Sequence, residues 1–405
     1  MTASTLGERV ADYRRQRGLS QRELATAVKR SESWVSQVER DVQPVERLSV
    51  LHALAQALGV SVRDLRPEAV APDGGRPRRT DLDGLRLQLS GHPAPTRLFA
   101  TDDRPEPAAL DRLRDHVDEA WNLAHGSEFA ALNDALTGLL PQLEDAVRGA
   151  PGDYAADLHG LRARAYQAAS AAFARQDEPD AAWVAADRAI AAAEQSGRPL
   201  EVIAGHFRMA HAFIRLGRYD QAERVTTSGL AALRPITAGG DATPEALSLL
   251  GAMHLVHAVI SGHEADRAKA RHHLAEAERI ARQLGQDRND FDTEFGPTNV
   301  QLHTVAVAVE VGDAGEAIDV AGQIDASGMS PERQARLLID VARAHLQRRH
   351  AGEAIAALLD AERRAPEHVR SHHLAKATIS DLLDHFGRRP PAELIDLARR
   401  SGANP

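Results

Sequence analysis

Two helix-start signals lying close together constrain this chain more than any other feature. In the stretch Ser20 to Arg40, SQRELATAVKRSESWVSQVER, Ser20 precedes Glu23 by three residues. That is the capping-box spacing and predicts a helix from there to about Val28. Ser31 is the next N-cap and opens a second helix through Glu39 or Arg40. Helical spacing gathers Leu24, Ala25, Val28, Val35 and Val38 into one small core. Gln21, Arg22, Ser33, Trp34, Gln37 and Arg40 are left facing outward. Their amide, hydroxyl and guanidinium groups suit base edges and phosphates in a major groove. The flanks complete the core: Leu6, Val10 and Tyr13 mark a helix ending at Gly18, and Leu48, Leu51, Leu54, Ala55 and Leu58 another ending at Gly59. Val60, Val62 and Leu65 close the unit.

The pattern is a helix-turn-helix, and its expected partner is double-stranded DNA. It resembles the Xre type of phage-repressor-like helix-turn-helix domains over about residues 4–66. The matching positions are Arg14, Gly18-Leu19-Ser20-Gln21, Glu23-Leu24-Ala25, Ser31, Val35-Ser36, Val38-Glu39-Arg40, Leu54-Ala55, Leu58-Gly59-Val60 and Leu65. The DNA-binding set expected from pattern and resemblance is Arg14, Gln21, Arg22, Ser31, Ser33, Trp34, Gln37 and Arg40. Arg14 and Gln21 are expected on the backbone, and Ser33, Trp34 and Gln37 on bases, Gln37 on adenine. Trp34 has two open readings, stacked on a sugar or folded back on the domain. The family usually has Gly where this chain has Asp41, and the loop to Pro44 is a residue short. Asp tolerates a left-handed backbone, so the turn is expected to survive, with a weaker phosphate contact nearby.

Charge changes sign along the chain. Residues 1–66 carry 11 Lys+Arg against 8 Asp+Glu, net +3, and the remainder carries −12 of the chain total of −9. A basic reader on an acidic body fits a DNA-binding domain carried by another domain. One copy so weakly basic neutralises few phosphates, so a homodimer on an inverted repeat is expected. The 405 residues, 43% of them hydrophobic, suffice for two or three domains. There is no cysteine, which excludes disulfides, thiol nucleophiles and thiolate-bound metals. No run of about 18 consecutive apolar residues marks a membrane span, and no apolar run marks a signal peptide. The expectation is a soluble cytoplasmic protein with no membrane partner.

Residues 1–68 are therefore read as the DNA-binding domain and 69–107 as a linker, dense in Pro, Gly and charge. Within the linker, Leu85, Leu87 and Leu89 alternate with polar residues and read as a short strand or a segment pinned to a neighbour. Arg76-Pro77-Arg78-Arg79 reads as a solvated tether or a minor-groove arm.

Residues 108–405 read as helix throughout, with short Gly- or Pro-marked breaks, and call for a search for repeats. The segment 204–235 places Ala210, Phe213, Gly217, Tyr219, Ala222, Gly229 and Pro235 as in a tetratricopeptide repeat, which it resembles. Weaker copies align on the small residue opening the second helix: Ala182, Ala222, Ala270, Ala317 and Ala354, 40, 48, 47 and 37 residues apart. The expected fold is all-α: a helix-turn-helix domain followed by a tetratricopeptide-like solenoid, a right-handed superhelix closed by capping helices.

The resemblance implies that the first helix of each pair lines a concave face. Repeat phase places Arg164, Gln167, Phe207, His211, Asn299, Leu302, Arg336, Ile339 and Arg343 there. The segment GQDRNDFDTEFGPTNVQLH, residues 285–303, breaks the spacing. Its Asp290, Phe291 and Phe295 read either as part of a ligand site with Asn299 or, for the two aromatics, as a plug between repeats. The 19 histidines include His254 and His257 one turn apart, but there is no HExxH, so no metal or cofactor is expected. No GxSxG, Walker or GxGxxG pattern occurs, and no catalytic residues are assigned. Two functions are expected to compete: a transcriptional regulator sensing a small molecule or peptide, and a DNA-tethered protein-interaction scaffold. The architecture resembles Gram-positive regulators that join these two domains and sense signalling peptides, and the Ala- and Arg-rich composition resembles that of an actinomycete.

Overall fold

The computed structural model describes residues 5–28, 30–41, 45, 48–58, 60, 65, 82–90, 108–387 and 389–403. These form 20 α-helices and no strand, in two compact units, Met1–Arg78 and Arg79–Pro405. The Arg-Pro-Arg-Arg run lies outside the described residues.

In the first unit, α1 spans Leu6–Gln16, α2 Gln21–Ala27, α3 Glu32–Glu39 and α4 Leu48–Leu58. Thr5 with Glu8 and Ser20 with Glu23 form reciprocal capping boxes, and Ser31 Oγ accepts the Trp34 N–H at 3.1 Å. Val10, Leu24, Val35, Val38, Leu54, Leu58 and Leu65 are buried together. Asp41 takes φ 54°, as its residue type allows. Its carboxylate accepts from the Gly7 N–H at 2.9 Å and from the Thr5 hydroxyl. It is thus occupied at the N-terminus of α1, where a negative charge is stabilising.

In the second unit, α5 spans Asp83–Ser90. The LRLQL run is helix rather than strand, because Leu82, Leu85 and Leu89 share one buried face. It is pinned by Leu85 N–H on Asn133 Oδ1 (2.9 Å) and by Arg188 on Leu89 O (2.6 Å). Six helix pairs follow: α6 Ala108–Gly126 with α7 Phe129–Gly149, α8 Gly152–Arg175 with α9 Pro179–Ser196, and α10 Pro199–Arg215 with α11 Tyr219–Thr237. The next three are α12 Pro244–His263 with α13 Arg267–Leu284, α14 Pro297–Glu310 with α15 Ala314–Ala321, and α16 Pro331–Gln347 with α17 Ala351–Arg364. Helices α18 Pro366–Ser371, α19 His373–Phe386 and α20 Ala392–Ser401 end the array.

One turn recurs in every pair. Ser127, Asp177, Gly217, Ala265, Gly312 and Arg349 each stand two residues before the second helix, all at φ between 59° and 86°. The next residue's N–H bonds the carbonyl five back, as Glu128 to Leu123, Arg218 to Phe213 and His350 to His345. This is the Schellman closure, repeated in register. Five residues past each left-handed position lie Leu132, Ala182, Ala222, Ala270, Ala317 and Ala354, all fully buried where the helices cross. The array curls until α16 touches α6 and Glu367 accepts the Phe129 N–H at 2.8 Å. Helix α12 is long and apolar enough to cross a membrane, but 89% of that window is buried within the unit, the position of a core helix.

Candidate nucleic-acid interface and solenoid lumen

On the helix-turn-helix unit, Arg22, Arg30, Ser33 and Arg40 are exposed and Gln37 is half-buried. Trp34 folds back, half-buried against the core, with the Arg30 guanidinium 5.6 Å from its ring centroid. Arg14 is not available to phosphate, contrary to the sequence expectation. Its Nε and Nη2 donate to Glu39 at 2.5 and 2.9 Å, and its Nη1 donates to Leu19 O at 2.8 Å. The Gln21 amide donates to the same carboxylate at 2.8 Å. Burial works against the Glu39 charge, but the bonds from Arg14 and Gln21 win and hold its carboxyl below the usual range. Arg14 and Gln21 therefore brace α1, α2 and α3, while Ser31 is spent as a cap. The expected contact residues left outside this brace and the caps are Arg22, Ser33, Gln37 and Arg40.

In the solenoid five of the six first helices turn a polar stripe to the interior, at helical spacing, while α12 is buried nearly all round. Helix α6 gives Asp118, Trp121 and His125; α8 gives Arg164 and Arg175; α10 gives Arg208, His211 and Arg215; α14 gives His303 and Glu310; α16 gives Glu332, Arg336 and Arg343. Ion pairs join the stripes: Arg164 to Asp118 at 2.8 Å and Arg343 to Glu310 at 2.6 Å between neighbouring first helices, and Arg175 to Glu332 at 3.4 Å between α8 and α16. Burial keeps the interior imidazoles neutral, drawing His303 and His368 to about 3 and His125 to about 4, and His211 well below its ordinary value. Burial would raise the Glu332 carboxyl, but Arg175 and Arg333 hold it well below its ordinary range.

The irregular segment after α13 enters this interior through a short 3₁₀ turn, Asp290–Asp292. Asp290 is held by Arg288 at 2.6 Å, and Asp292 lies 3.4 Å from Arg164. Arg208 donates to the carbonyls of Phe291 and Asp292 at 3.2 and 2.7 Å. Glu294 accepts from Ser330 and Arg333 at the start of α16. Phe291, Asp292 and Glu294 all have positive φ, 53°, 57° and 51°, so these contacts hold a strained path.

Several sequence-assigned ligand residues lie elsewhere. Phe295 is fully buried and packs on Gly251, so it is the plug between repeats. Phe207, Leu302 and Ile339 are core, since their apolar side chains fill the seams between pairs. Gln167 is buried, and its amide faces Glu201 O at 3.5 Å. Asn299 is buried, and its backbone carbonyl lies 2.9 Å from His303 Nδ1. Half-buried Phe291 packs on the same core as Phe295. Arg164, His211, Arg336 and Arg343 do sit on the interior stripes. Sequence reasoning missed Trp121, His125, Arg208, Arg215, Glu332 and His372. For the first five, the stripe at four- and seven-residue intervals on first helices was the available signal; His372 stands between α18 and α19, off any such stripe. His254 and His273 meet through Nδ1 atoms 2.9 Å apart, with His257 stacked on His273. No group of three or more His, Cys, Asp or Glu among the described residues has the arrangement of a metal site.

These two units define the class: an all-α protein joining a helix-turn-helix domain to a solenoid of helix pairs. Residues 5–69 match the family model of the helix-turn-helix domain. No curated protein matches the chain. Among solved structures, the chain is similar to Bacillus thuringiensis PlcR, determined in complex with the peptide PapR7 and DNA. That similarity has 13% identity and a TM-score of 0.28, and covers 70% of this chain and 96% of that one.

Proposed function

We propose that the protein is a sequence-specific DNA-binding transcriptional regulator whose solenoid binds a small molecule or peptide in its lumen. It acts inside the cell by binding and not by catalysis. The observation that carries this reading is the division of labour in the first unit. Caps and the Arg14–Glu39–Gln21 brace absorb the polar groups of the motif's frame, while Ser33 and Arg40 stay exposed and Gln37 half-exposed along and just past α3. Two copies place their α3 helices in major grooves roughly 34 Å apart, on an inverted repeat. Ligand in the lumen changes the curvature of the curled array and with it the half-site separation. A tenfold preference for one form shifts occupancy by about 1.4 kcal/mol.

The test is unbiased selection of DNA by the full chain, with and without an extract of the producing cells. Enrichment of an inverted repeat whose binding responds to extract is expected. Enrichment indifferent to extract favours the DNA-tethered scaffold, and no enrichment removes the DNA-binding reading.

A further inference from the structure

Not every interior arginine has an acid. Arg164, Arg175, Arg333 and Arg343 each reach an Asp or Glu. Arg208 is satisfied by loop carbonyls and lies over the Trp121 ring, 4.8 Å from its centroid. Arg215 touches imidazoles alone: Nη1 meets His373 Nδ1, and Nη2 is 3.4 Å from His372 Nε2. No hydrogen bond or ion pair among the described residues reaches Arg336. Its place is nevertheless fixed. It lies one turn from Glu332, which pairs with Arg175, and two turns from Arg343, which pairs with Glu310. Burial draws Arg215 down to about 10, and the charge of Arg336 pushes the same way.

Neither cation touches an acid directly: Glu332 and Glu310 reach Arg336, and Asp177 and Glu332 reach Arg215, only at longer range. Glu332 and Glu310 are themselves paired with Arg175 and Arg343, so positive charge is left in excess and is relieved when an anion arrives. Unused hydrogen-bonding capacity lies beside them. His372 Nδ1 and both ring nitrogens of His368 are buried without a hydrogen bond, His368 Nε2 standing 3.8 Å from Glu332, and these side chains are 1% and 0% exposed. The chain supplies an internal precedent: Arg164 and Arg208 already receive a carboxylate and two carbonyl oxygens from the strained loop.

We infer that Arg215 and Arg336, with His372 and His373 beside them, form the seat for the carboxylate or phosphate head of the ligand. Guanidinium forks bind either head through paired N–H bonds, and neutral imidazoles add donors without adding repulsion. This assignment rests on the reading of the solenoid as an effector-binding unit and names the chemistry of that effector.

The experiment is thermal unfolding and calorimetric titration of the full chain in sodium chloride, sodium acetate and sodium phosphate at matched ionic strength, for the wild type, R215Q, R336Q and R336K. Acetate or phosphate is expected to raise the solenoid Tm of the wild type above its value in chloride, and whichever acts identifies the head. R336Q removes the repulsion on Arg215 together with the attraction of Glu332 and Glu310, and no hydrogen bond, so its Tm in chloride is expected to stay close to the wild-type value. It should also lose the anion increment and weaken Kd at least tenfold, as R215Q should, while R336K keeps part of the affinity. Equal increments in wild type and R336Q, or no increment in the wild type, would each overturn the seat. Operator binding measured in parallel separates the two claims. An anion effect without any change in DNA affinity leaves the seat standing and removes the sensing role.

Discussion

Glu39 is the residue on which the reading face hangs, because it ties α1 and α2 to α3 through three hydrogen bonds. The bridge to Arg14 is largely shielded, with side-chain exposures of 14% and 6%. Breaking a buried pair from one side costs roughly 3–5 kcal/mol, and partial exposure trims that to about 2. Arg14→Ala is therefore expected to lower the urea midpoint of the first unit by the equivalent of about 2 kcal/mol; an unchanged midpoint would show that the brace contributes nothing. Ser33 and Gln37 carry the opposite expectation. Replacing both with Ala should leave the midpoint within about 0.5 kcal/mol and abolish operator preference in DNA selection. Recovery of the wild-type site by that double variant would move the reader off α3.

At the scale of elements, the recurring left-handed turn makes a prediction of unusual sign. Ala→Gly normally destabilises by about 0.5–1 kcal/mol, but Ala265 sits at φ 59°, where an L side chain costs roughly 1–2 kcal/mol. Ala265→Gly should therefore stabilise the solenoid, read as a higher Tm, and a fall would mean the turn register is wrong. A second test lies at the plug. A Cβ on Gly251 would stand 1.9 Å from the Phe295 ring, so Gly251→Ala should destabilise by several kcal/mol. Combined with Phe295→Ala it should cost far less than the sum. These elements also mark what was legible in the sequence. The five anchor alanines were readable because helix crossings require small side chains. The first repeat was not, because Leu132 stands at its anchor, and four of the six left-handed turns use Ser, Asp, Ala or Arg in place of Gly. The LRLQL run misled because five residues of alternating polarity fit a strand and a short helix equally. The lumen stripes stayed hidden because Arg and His at helical spacing look the same on a solvated face; only the curl that brings α16 against α6 turns them inward.

For the whole molecule, the neutral buried imidazoles set how the two units respond to acid. His254 and His257 are drawn to about 4, His273, His303 and His368 to about 3, and His373 to about 2, all by burial first. Each has a folded pKa far below the ordinary value of about 6.5, so the unfolded chain takes up protons that the native solenoid refuses. Stability then rises with pH, is complete above about 6.5, and falls below it by up to about 1.4 kcal/mol per pH unit for each histidine. Asp292, Glu201 and Glu264, raised by burial, oppose this, but the lowered imidazoles, His125 and His211 among them, outnumber these carboxyls. Solvent screening discounts the half-buried His273, yet even part of the sum is a large share of the roughly 5–15 kcal/mol of a typical domain. Residues 1–78 contain a single histidine, His52, against eighteen in the remainder of the chain. Calorimetry on the full chain between pH 7.5 and 5 should therefore show the solenoid transition moving steeply down while the helix-turn-helix transition stays nearly still. Parallel movement of both, or a solenoid transition that ignores pH in this window, would mean that these imidazoles are hydrated and that the lumen is open to water.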